Sequence, residues 1–108
     1  MSSDNNNNTM AKIKPLSDSN YLDWAGEMKA GLMRNGLWRL VCGRETKPVG
    51  SDKTDTLEKW EIKAERAAGE IYLLVETDQR VHFRGHEEDP IKMWELLEAA
   101  HLCKKPGA

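Results

Sequence analysis

Cysteine is nearly absent from this 108-residue chain: Cys42 and Cys103 stand far apart and belong to no C-x-x-C pair. That scarcity rules out a disulfide-built scaffold and a cysteine-built zinc module, and predicts two reduced, partly buried thiols. No apolar run is long enough to cross a bilayer, and the start MSSDNNNNTM lacks the basic and apolar segments of a signal peptide. An intracellular, cytoplasmic protein without membrane attachment is expected, in which the sequon Asn7-Asn8-Thr9 stays unglycosylated. An excess of positive charge is missing too. Sixteen Lys and Arg face eighteen Asp and Glu, giving a net charge of -2 and a pI near 5.9, whereas a free-standing nucleic-acid binder gathers cations on one face.

The motifs of catalysis are also lacking. There is no H-E-x-x-H, no G-x-x-x-x-G-K-[ST] and no G-x-S-x-G. The one close histidine pair, His82 and His86, has the i, i+4 spacing of two ligands on a helix, but Gly85 lies between them and breaks such a helix. No metal, no cofactor and no enzymatic activity are expected.

What the chain does have is helical periodicity. Residues 1–12 are rich in Asn and Ser and read as a disordered arm, with a helical domain over 13–103 and a basic Pro/Gly tail over 104–108, the expected truncation point. From Asn20 the residues Tyr21, Trp24, Ala25, Met28 and Leu32 recur on one helical arc; Ser19 or Asn20 is placed to cap it and Asn35-Gly36 to stop it. A short helix LWRLVC then runs to Gly43. The segment GRETKPVGSDKTD reads as the longest internal loop. A long helix over about 55–76 follows, with Trp60, Ala64, Ala67, Ala68, Ile71, Leu74 and Val75 on one face. TDQRVHFRG reads as a short helical turn closed by Gly85. In the last helix Asp89 takes the N-cap and Pro90 the first helical position. Nothing alternates with period two, so the fold class is all-α: a small bundle of about five helices, three long and two short.

The four tryptophans fall in four different helices, on or beside the apolar arcs of the three long ones. The core is therefore predicted to comprise Tyr21, Trp24, Met28, Leu32, Trp38, Trp60, Ala64, Ala67, Ile71, Trp94 and Leu97.

The ordered set NYLDWAGEMKAGLMRNGLWRLVCG, then WEIKAERAAGEIYLLV, then MWELLEAAHLCKKPG resembles the Gag polyprotein of copia-type LTR retrotransposons. The matching positions are Asn20, Tyr21 and Trp24; Gly36, Leu37, Trp38, Val41 and Gly43; Trp60; and Trp94 with Leu97. The resemblance covers about residues 13 to 107. It implies a capsid-type helical domain that self-associates into virus-like particles, with RNA taken up by a downstream zinc knuckle that this chain does not contain. A fragment of an element, a degenerate element, or a host gene derived from one is implied by the same departure.

Self-assembly needs apolar surface left over once the core is filled. On the long helix, Ile62, Gly69 and Leu73 lie outside the main stripe and form a candidate helix-to-helix interface; the alternative is that this helix is central and packed on both sides. The apolar residues of the last helix spread over about 160° of arc, so either two neighbours cover it or a patch remains open. Homo-oligomerisation is the expected partnership, a host protein the alternative, and RNA contact through Lys104-Lys105 the weakest.

Overall fold

The computed structural model describes residue 10, residues 12–50 and residues 54–102. The Asn-rich arm up to residue 9, Cys103 and the tail 104–108 lie outside the described residues. Within them the chain forms α1 (Tyr21–Arg34), α2 (Trp38–Val41), α3 (Thr54–Leu73), a 3-10 helix (Thr77–Phe83) and α4 (Pro90–Leu102). The fold is an all-α bundle. Its single departure among the described residues is an isolated parallel bridge between Leu16 and Val75.

The start of α1 differs from the sequence expectation. Asn20 occupies the N-cap position but its side chain makes no capping bond. Instead its Oδ1 accepts from the Ser17 N–H at 2.7 Å and its Nδ2 donates to the Pro15 carbonyl at 3.0 Å. The side chain is spent on folding the entry loop, a use for which Asn competes well. The end of α1 follows expectation: Gly36 has φ of 73°, its N–H donates to Met33, and the Leu37 N–H reaches back to the Leu32 carbonyl at 2.8 Å. This Schellman stop satisfies two orphan carbonyls and leaves Leu32 and Leu37 together in the core.

The long helix ends at Leu73, three residues before the periodicity does. The Leu16 N–H donates to the Leu74 carbonyl, and the Glu76 N–H donates to the Leu16 carbonyl, both at 2.9 Å. Leu74 also accepts the indole N–H of Trp24 at 2.8 Å. Two donors from distant segments thus take a carbonyl at the helix end, and Val75 is drawn into extended backbone; both residues stay buried as the apolar pattern requires. Gly85, with φ of 91°, follows the 3-10 helix. At α4, Asp89 Oδ1 accepts the Lys92 N–H at 3.1 Å, so the expected cap forms and Pro90 stands at the first helical position.

The core joins Trp24, Met28 and Leu32 of α1, Ala67, Ala68 and Ile71 of α3, Phe83, and Met93 and Leu97 of α4. The Leu, Ile, Phe and Met side chains among them each contribute roughly 1.5–3 kcal/mol when fully buried. The wide apolar arc of α4 is explained by its neighbours, because α4 packs against α2, α3 and the 3-10 helix. Met10 is buried and its thioether occupies the space where Gly31 lacks a side chain.

Candidate interaction surface

The predicted core residues divide by position. Tyr21, Trp24, Met28, Leu32, Ala64, Ala67, Ile71 and Leu97 are buried. Trp38 and Trp94 are half-buried at the margin of the core, where Trp94 stacks on Trp24 at 5.5 Å and meets the edge of Trp38 at 5.2 Å. Trp60 is not a core residue. The buried face of α3 begins only at Ala64, and one turn earlier the indole N–H of Trp60 donates to the Glu45 carbonyl at 3.0 Å. Lys47 lies 5.9 Å from its ring and Lys63 pairs with the Glu45 carboxylate at 2.7 Å. Its apolar bulk and polar handle hold the loop before α3 against the helix. Cys42 is likewise misplaced by expectation: it is exposed, because it caps the outward end of α2. The Arg44 Nε–H donates to its sulfur at 3.4 Å, and this bond holds the thiol below its ordinary range.

A polar clasp closes the other end of the molecule. Gln79 is buried; its Nε2 donates to Asp18 Oδ1 at 2.7 Å, and its Oε1 lies 2.7 Å from His101 Nε2. An amide oxygen only accepts, so His101 carries a proton on Nε2. The imidazole stacks on Tyr21 at 5.0 Å, with His82 edge-on at 5.6 Å. Burial, and secondarily the charge of Glu98, push the Tyr21 hydroxyl up to about 12. These contacts tie the entry loop, the 3-10 helix and α4 together. His82 thus faces the clasp, while His86 follows the Gly85 turn and is exposed. Among the described residues no group of three His, Cys, Asp or Glu side chains is placed to hold a metal ion.

The outward face of α3 is different in kind. Ile62 is 51% exposed and Leu73 71%, with Gly69 between them and open space where its side chain would be. The described residues leave both largely open, so among the described residues α3 is packed on one side only. Beside Gly69 and Leu73 runs a groove of about 440 Å³ floored by Ala68 and Tyr72 and rimmed by Glu65, Glu87 and Glu88. Its wall is fixed: Arg80 lies 4.0 Å from the Tyr72 ring and donates to the Tyr72 carbonyl at 3.2 Å. Glu87 accepts the Gly85 N–H at 3.1 Å, which with its own backbone N–H keeps its carboxyl below the usual range. The groove therefore offers an apolar floor under a negative rim.

A second exposed apolar face lies on α1, where Leu22 is 75% and Met33 58% exposed. The signal was available in the sequence, since the wheel that gathers Tyr21, Trp24, Met28 and Leu32 leaves these two away from the buried arc. Among the described residues no helix is long and apolar enough to cross a membrane. Compared with known proteins, the chain matches no family model, no curated protein and no solved structure.

Proposed function

We propose that the chain is a non-enzymatic structural protein of the copia-type Gag kind, which self-associates by helix packing towards a capsid-like assembly. The observation that carries the reading is the outward face of α3: Ile62 and Leu73 stand in solvent around a glycine with open space above it. The core beneath is filled without them, so their exposure is not a cost of folding. The Gag kind is supported by the order Asn20-Tyr21-Trp24, Gly36-Leu37-Trp38, Trp60 and Trp94-Leu97, which falls here on successive elements of one bundle.

Energetics set the style of association. Two half-exposed aliphatic residues contribute a few kcal/mol at most, whereas association costs about 4–15 kcal/mol in lost freedom. A single such contact is weak, as suits an assembly held by many repeated contacts. The acidic rim supports a second reading, in which a basic helix of another protein fills the same groove.

Sedimentation over a rising concentration series tests the proposal. The wild-type chain is expected to gain mass with concentration and Leu73→Glu to remain a folded monomer. A wild-type chain that stays monomeric up to about 1 mM, where contacts worth only ~4 kcal/mol already register, refutes self-association.

A further inference from the structure

Resting on the self-association just proposed, we infer that the α3 face docks antiparallel on the exposed face of α1 in a second copy of the chain, a heterologous contact with Gly26 set against Gly69. On α1, Leu22, Gly26 and Met33 fall within about 40° of arc, and on α3 Ile62, Gly69 and Leu73 do the same. In both helices the two large residues are separated by eleven positions, or about 16 Å of rise. The glycines are mirrored: Gly26 follows Leu22 by four positions, and Gly69 precedes Leu73 by four. With α1 and α3 antiparallel, Leu22 therefore meets Leu73, Gly26 meets Gly69 and Met33 meets Ile62. Both glycines have open space above them, so the backbones can close to the short end of helix packing distances.

The charges agree with this register. Lys29 comes to the flank occupied by Glu65, beside the acidic groove, and Glu27 comes to the opposite flank, beside Arg66. All four are exposed, and none belongs to an ion pair among the described residues. Other pairings fit worse. A second α3 would set Arg66 against Gly69, a second α1 would set Lys29 against Gly26, and a parallel α1–α3 pair would set Arg66 against Gly26. With the large apolar residues kept paired, the antiparallel α1–α3 contact is the pairing that also brings glycine to glycine and opposite charges to both flanks. Because the two faces belong to different helices, each copy offers one half of the contact to each of two neighbours, and growth can pass beyond a dimer.

Complementation between two defective chains tests this. Met33→Glu and Leu73→Glu are each expected to weaken self-association at least about tenfold, with unchanged far-UV circular dichroism. Mixed, they should form a 1:1 dimer of twice 12.3 kDa that grows no further, since one intact α1 face and one intact α3 face remain. Lys29→Glu and Glu65→Lys should each weaken association roughly two- to fivefold, and the double variant should restore it. A Met33→Glu chain that assembles like the wild type, or a mixture that stays monomeric, overturns the α1–α3 pairing while leaving self-association through α3 intact. A wild-type chain that never associates removes both.

Discussion

Replacing Trp24 by Phe tests how the bundle is closed. Trp24 is 1% exposed, and its indole N–H donates to the Leu74 carbonyl at 2.8 Å. That carbonyl also accepts from Leu16, so Phe removes one bond without orphaning the acceptor, a net loss of about 1 kcal/mol instead of the full desolvation penalty. The smaller ring also deletes buried volume and part of the stacking on Trp94, which adds about 1–2 kcal/mol. The sum of roughly 2–3 kcal/mol lowers Tm by about 10–15 °C in a domain of this size. Thermal and urea unfolding followed by circular dichroism measure it. Hydrogen exchange should in addition quicken at Glu76, whose N–H belongs to the bridge that Trp24 braces. A Tm loss under about 4 °C, corresponding to less than 1 kcal/mol, with Glu76 still protected, would show that the tryptophan fills space without organising the junction.

Two further outcomes follow from the same contacts. Burial raises Tyr21 from 10.0 to about 12 in the folded chain, so below pH 10 both states are neutral and the contribution is fully present. Between pH 10 and 12 only the unfolded chain ionises, and stability falls by up to about 1.4 kcal/mol per pH unit; Tyr21→Phe should remove that component, and identical wild-type and variant pH profiles would contradict it. Gly69→Ala separates stability from assembly: in a helix interior with open space it should stabilise the monomer by roughly 0.5–1 kcal/mol while weakening self-association, because its methyl group stands where a second helix approaches. A variant that gains stability and associates as well as the wild type would remove Gly69 from the interface.

The sequence by itself determined where the helices lie and, the end of the long helix apart, what bounds them. Asn35-Gly36, Gly43, Gly85 and Asp89-Pro90 act through bonds spanning a few residues, so their effect is written locally. The buried stripe from Tyr21 to Leu32 is equally local, being a matter of angle alone. What only the tertiary structure decided depends on partners far along the chain. Leu16 and Trp24 cut the long helix short at Leu73, Glu45 takes the indole of Trp60 away from the core, and Met10 is drawn in by the gap at Gly31. The outward faces of α1 and α3 belong to this second kind. Periodicity shows that Ile62, Leu73, Leu22 and Met33 lie off the main stripes, but whether another helix covers them is settled by packing, and among the described residues packing leaves them exposed.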